Sequence, residues 1–199
     1  MTSYLLLVLL AVCSVSVQAQ RPAFGRCPSM NNLASLDLHK LKGHWYEVER
    51  SFYVFELHRK CIAIDFQPQG NSIKLSTSFL NRITNNKGAD VAIATPYGKN
   101  SAKLRLIVDG SISRQTPDAV KRALPGSGDY YVLDTDYDNY AVIYSCSNMA
   151  GLLHADLIWV LSRQRDLPPN VRVDIYDALI KKGLNSDVLT LTQQKGCTN

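Results

Sequence analysis

Several signatures that announce an enzyme are missing from this chain. It contains no Gly-x-Ser-x-Gly elbow, no His-Glu-x-x-His pair and no Gly-x-x-x-x-Gly-Lys-Ser/Thr loop. Serine nucleophiles, catalytic zinc and phosphate cradles therefore have no motif here. The four histidines, His39, His44, His58 and His154, stand alone, none at metal-ligand spacing from another. Charge of one sign is also scarce, with a formal net charge of only +5. The densest basic groups are Lys121-Arg122, Arg163/Arg165 and Lys181-Lys182. A nucleic-acid reader needs a basic face interleaved with aromatics, and these pairs are too dispersed to make one. No Asn-x-Ser/Thr sequon occurs, so N-glycosylation is not expected.

The longest apolar run, Tyr4 to Val17, is shorter than the roughly 20 residues of a membrane span. It carries no charge and leads into Val17-Gln18-Ala19, a small-residue cleavage site. We expect residues 1–19 to be a secretory signal peptide and residues 20–199 to form one domain. A chain of that size buries roughly 70% of its unfolded surface, enough for one substantial core. Of the five cysteines, Cys13 leaves with the leader. Cys27, Cys61, Cys146 and Cys197 remain for an oxidising compartment, so two disulfides are expected. Four cysteines allow three pairings, and the residues alone do not choose among them.

What the chain does have is a long succession of strands. Gly43 is followed by a β-favouring run from Trp45 to Tyr53. Cys61–Phe66, Ser72–Phe79, Val91–Ala94 and Ala102–Val108 then alternate, with turn residues between them. In the last of these Lys103 and Arg105 face one way and Leu104, Leu106 and Val108 the other. That period of two marks antiparallel sheet with one apolar face. Residues 109–129 break the rhythm with Pro117, Pro125, Gly126 and Gly128, a long connection suited to a functional mouth. Tyr130–Leu133 and Tyr140–Tyr144 flank a hairpin, and Leu157–Ser162 completes the set. After Asp166 the period becomes helical, with Val171, Ile175, Ala178 and Leu179 on one stripe between Pro168-Pro169 and Gly183. Eight or so strands and one helix suit an up-and-down barrel; a sandwich is the alternative.

Three pieces stand in a telling order: Gly43-His44-Trp45, Thr135-Asp136-Tyr137, and Arg163 ending the run from Leu157. With the cysteine layout they resemble the lipocalin family. The wider wording Lys42-Gly43-His44-Trp45-Tyr46-Glu47-Val48-Glu49-Arg50, and that from Asp136 to Cys146, is similar to its apolipoprotein D and insect Lazarillo branch. The resemblance covers nearly all of the mature chain. It implies an all-β fold, an eight-stranded antiparallel barrel with one C-terminal helix packed outside. It also implies the pairings Cys27–Cys146 and Cys61–Cys197, and Arg163 lying across the Trp45 ring at the closed end. An anion site at Arg163 is the functional alternative to that plug.

On this reading Phe66, Phe79, Leu106, Val108, Tyr130, Val132, Val142, Tyr144 and Trp159 fall on inner faces and line a ligand cavity. The resemblance supports Phe66, Tyr130 and Trp159 most directly. It implies a secreted, non-enzymatic carrier of a lipid, fatty acid, sterol, retinoid or bilin, in lipid transport or protection from oxidative damage. No cofactor is expected beyond a bilin or retinoid held as ligand. The apolar hairpin tip with Met149, Leu152 and Leu153 is a candidate contact with membrane or lipoprotein. The rival readings are a lipid-modifying enzyme on the same scaffold and an interaction or inhibitor protein with a filled barrel.

Overall fold

A computed structural model describes residues 23–30, 33, 35–97, 100–109, 129–149 and 152–197. The expected signal peptide, and nearly all of the 109–129 connection, lie outside the described residues. Ten strands join one sheet: β1 (Ala23–Phe24), β2 (Gly43–Arg50), β3 (Arg59–Gln69), β4 (Ser72–Asn81), β5 (Lys87–Tyr97), β6 (Asn100–Asp109), β7 (Asp129–Thr135), β8 (Tyr140–Met149), β9 (Leu153–Ser162) and β10 (Thr190–Leu191). From β2 to β9 each strand pairs antiparallel with the next, and β9 pairs back onto β2. The eight strands thus close on themselves as a barrel. The two-residue strands β1 and β10 attach to β9 and β2.

Alternation along these strands sorts the apolar residues into two clusters. Leu36, Trp45, Phe66, Ile73, Leu104, Val132, Leu157, Trp159 and Leu161 pack inside the barrel. Val48, Leu133, Val142, Tyr144, Ile158 and Val160 pack outside, under the helix α1 (Pro169–Lys181). That helix contributes Ile175 and Leu179 fully, with Val171 beside them, which is the stripe its periodicity foretells. Pro169 sits in the first turn, where its missing N–H costs nothing. A polar clamp adds direction: the buried Glu49 carboxylate accepts from Arg172 Nε and from the Tyr176 hydroxyl at 2.7 Å.

Two readings of the strands need correction. Val142 and Tyr144 do not face the interior; they belong to the outer cluster with the helix. Their neighbours Ala141 and Ile143 point inward instead, opposite Thr135 and Val132 of β7. Because the helix buries the outer face of β8, both faces of that strand are apolar, and a one-residue error in parity leaves no polar residue out of place. Strand limits also move: β3 runs through Pro68 and Gln69 before turning, and β5 begins at Lys87 within a stretch whose polarity reads as loop.

Both expected disulfides form, Cys27–Cys146 and Cys61–Cys197, across sequence separations of 119 and 136. Loop-entropy models put each on the order of 4–5 kcal/mol. The second bridge ties down a tail with an unexpected structural task. β2 and β3 pair only from Gly43 to Tyr46, then diverge. The tail fills the gap: Thr192 N–H donates to Val48 O, Cys61 N–H to Gln193 O, and Gln194 Nε2 to the carbonyls of both Glu47 and Ile62.

Candidate functional site: the barrel interior

The closed end is built around Trp45, whose side chain is fully buried and whose Nε1–H donates to Leu41 O at 2.8 Å. The Arg163 guanidinium lies 3.8 Å from the centre of that ring, a cation–π contact. Its nitrogens donate to four carbonyls: Tyr137 at 3.0 Å, Lys42 at 3.0 Å, His44 at 3.2 Å and Lys40 at 3.2 Å. Gly43 passes beneath with φ +99°, a conformation that side chains resist, and an added Cβ would meet Arg163 Nη1 at 3.4 Å. The Thr135-Asp136-Tyr137 turn braces the other side. Thr135 Oγ1 donates to Tyr140 O at 2.6 Å and accepts from Tyr137 N–H, and Asp136 accepts from the N–H groups of Asn139 and Tyr140. Asp37 Oδ1 caps the entering turn by accepting from His39 N–H. Four of the five guanidinium N–H groups thus go to the protein's own backbone, as a plug requires.

Above this base the inward side chains change character. Phe66 and Val132 are buried, Phe66 edge-on to Trp45 at 6.4 Å. Ile64, Leu75, Leu106, Tyr130 and Ile143 also point inward yet keep accessible surface. Trp159 anchors this level: Tyr130 stacks on it at 5.8 Å and 24°, and Tyr53 meets it edge-on at 5.9 Å. Phe79 lies nearer the mouth, on the parity of Leu75, with the Arg59 guanidinium 4.0 Å over its ring. Its ring occupies the space over Gly88, where a Cβ would stand 2.4 Å from Cζ. Phe66, Leu106, Tyr130, Val132 and Trp159 are thus brought together, and Phe79 stands at their upper margin. Val142 and Tyr144 are excluded, and the Val108 side chain lies outside the described residues.

One group was not foreseen. Glu47 follows Trp45 by two residues and so shares its inward face, where it is 1% exposed. Arg50 reaches back to it at 2.6 Å, and Thr192 Oγ1 donates to the same oxygen at 2.6 Å. Arg50 Nη2 also donates to Glu56 O at 2.9 Å, and its Nε stands 3.5 Å from the Glu56 carboxylate. Glu56 Oε2 accepts from Trp159 Nε1–H at 3.3 Å. Arg59 pairs with Asp90 beside Phe79. Burial, and then the Glu47 charge, push the Glu56 carboxyl up to about 7 against the pull of Arg50. Burial likewise raises Glu47, and it raises Tyr53 to about 12. The parity of Glu47 with Trp45 was a readable signal; Glu56 comes from a short 3-10 turn and gave none.

For metals, Cys146, His154 and Asp156 bring their ligand atoms within 4.8 Å of one another. The Cys146 sulfur is committed to its disulfide, so that grouping lacks a thiolate.

Comparison with known proteins agrees with this geometry. Apolipoprotein D of Cavia porcellus is 32% identical over 196 residues, covering 97% of this chain and 95% of its own length. The Lazarillo protein of Schistocerca americana is 25% identical over 187 residues, covering 93% and 81%. Among solved structures, lobster apocrustacyanin A1 superposes with a TM-score of 0.69 at 18% identity, covering 91% of this chain and 94% of that one. Residues 42–196, from the glycine strand through the tail that seals the barrel, match one family along their whole length, and the chain belongs to the lipocalin / cytosolic fatty-acid binding protein family.

Proposed function

We propose that this protein is a secreted, non-catalytic carrier that holds one small hydrophobic molecule in the open half of its barrel. The observation that carries this reading is the contrast along the barrel axis. The base is sealed by Trp45, Ile73, Ala102 and Leu161, each at 0% exposure, whereas inward apolar residues above it retain accessible surface. An apolar wall with a few polar handles is what a hydrophobic guest needs, and burial contributes roughly 25 cal/mol per Å² of apolar ligand surface. Phe66, Phe79, Leu106, Val108, Tyr130, Val132 and Trp159 are the proposed wall. The two disulfides and the apolar leader support export. Kinship with apolipoprotein D and Lazarillo supports a role in lipid handling.

Titration with retinol, a fatty acid and a bilin, read by tryptophan fluorescence, tests this directly. Only Trp45 and Trp159 contribute to the signal. We expect saturable one-to-one quenching that Trp159→Ala weakens at least tenfold while the far-UV spectrum is unchanged. No saturable quenching by any probe would indicate a filled barrel, and sustained conversion of a bound lipid would indicate an enzyme. A second reading concerns the rim. Leu152 is 74% exposed, and Phe24, 90% exposed, is held beside it by pairing with Leu153. This edge, with Met149, whose side chain lies outside the described residues, is the proposed contact with a lipoprotein or membrane surface, measurable as vesicle co-flotation lost in Leu152→Ser.

A further inference from the structure

The charged group inside the barrel names a class of guest, an inference that rests on the carrier reading. We propose that the barrel takes an amphiphile with a cationic head, a quaternary or primary ammonium on an apolar tail, with the head at Glu56 beside Tyr53 and Trp159.

The first support is the aromatic corner. Tyr53 and Trp159 meet at 89° with centroids 5.9 Å apart, and Tyr130 stacks behind Trp159. An electron-rich ring face attracts ammonium groups, most strongly where water is excluded. The second is position: the Glu56 carboxylate stands at the edge of that corner, hydrogen-bonded to the Trp159 indole at 3.3 Å. The third is charge balance. Among the described residues three carboxylates, Glu47, Glu56 and Asp90, gather here with two guanidiniums, Arg50 and Arg59. Both arginines are already engaged. Arg50 serves Glu47, Thr192, the Glu56 carbonyl and, through Nε at 3.5 Å, the Glu56 carboxylate as well, so one guanidinium is shared by two carboxylates; Arg59 serves Asp90 and the face of Phe79. An anionic head would enter a surplus of negative charge, and a neutral head would leave the surplus standing. A cation cancels it. Burial first, and the Glu47 charge second, raise the Glu56 carboxyl to about 7. The groups facing it are Glu47, Arg50, Arg59, Asp90, Tyr53 and Tyr130, with His58 at the edge of Phe79.

Decyltrimethylammonium, decanol and decanoate share one tail and differ in head charge, so they separate the head group from the cavity. Each is titrated below its micelle concentration against the full chain by tryptophan fluorescence. We expect the ammonium to bind about tenfold or more tighter than decanoate at pH 8, and tighter than decanol. Its head is permanently charged, so the pH dependence belongs to the protein: affinity should rise about tenfold from pH 6 to pH 8 as Glu56 ionises. Glu56→Gln should remove both the preference and the pH slope, which separates Glu56 from His58. Decanoate binding tightest, a flat pH profile, or a preference that survives in Glu56→Gln would overturn the assignment. If decanol and decanoate bind and the ammonium does not, the head-group assignment fails and the carrier reading stands; if none of the three binds, both fail. Should Glu56→Gln not fold, the wild-type ranking and pH slope decide alone.

Discussion

Replacing Arg163 with methionine keeps an unbranched apolar stem over Trp45 while deleting the guanidinium. Two quantities are lost. The cation–π contact at 3.8 Å is worth roughly 0.5–2 kcal/mol. The four carbonyl acceptors lose their donors, but the carbonyls of Lys40, Lys42 and His44 belong to exposed residues and can turn to water. Only the half-buried Tyr137 carbonyl is left short, at about 1–2 kcal/mol. The sum is about 2–4 kcal/mol. With a urea m value of roughly 1–3 kcal/mol/M, the midpoint should fall by about 1–2 M. Arg163→Lys restores the charge but not the fork that reaches several carbonyls at once, so it should recover less than half of the loss. Equilibrium urea unfolding, followed by far-UV circular dichroism with m held common, measures all three proteins. A methionine variant within 0.5 kcal/mol of the parent, or a lysine variant equal to it, would refute the plug. So would a methionine variant of unchanged stability that loses affinity for an anionic ligand, because Arg163 would then be a binding residue.

Val142→Ala tests the corrected orientation of β8. It should cost about 1–3 kcal/mol through the cavity left under α1 and leave retinol affinity within twofold, whereas a selective loss of binding would return Val142 to the wall. The raised Glu56 carboxyl makes a pH prediction with a definite sign. The folded chain holds a proton up to about 7 that the unfolded chain, with an ordinary carboxyl at 4.5, has already released. Stability should therefore fall across that window by an amount on the order of 3 kcal/mol and then level off. In Glu56→Gln the fall should shrink to what the raised Glu47 carboxyl contributes, and an identical pH profile for both proteins in urea unfolding would exclude Glu56 as a source.

How much of this could be read from the chain depends on which physical signal each residue leaves. Gly43, Trp45, the Thr135-Asp136-Tyr137 turn and Arg163 were legible because each has a local conformational need or a surface too large to hide. The helix stripe was legible because Val171, Ile175 and Leu179 meet a single apolar face. Val142 and Tyr144 were misplaced because alternation gives register only where one face is wet, and β8 is covered on both sides. The charged group was missed for a different reason. Glu47 shares the parity of Trp45, but its partner Thr192 lies far along the chain, and Glu56 enters from a turn whose aim no periodicity encodes. The tail offered only a short β-favouring run, and its place between β2 and β3 depends on where those strands part.

That tail sets an order of events. Until Thr192, Gln193 and Gln194 arrive, the Val48 carbonyl and the Cys61 amide face each other across an open seam. A chain emerging from the ribosome can register its hairpins early, but its last seam waits for residues made after all eight barrel strands. The Cys61–Cys197 bridge sits beside that seam and holds the tail against the wall it completes.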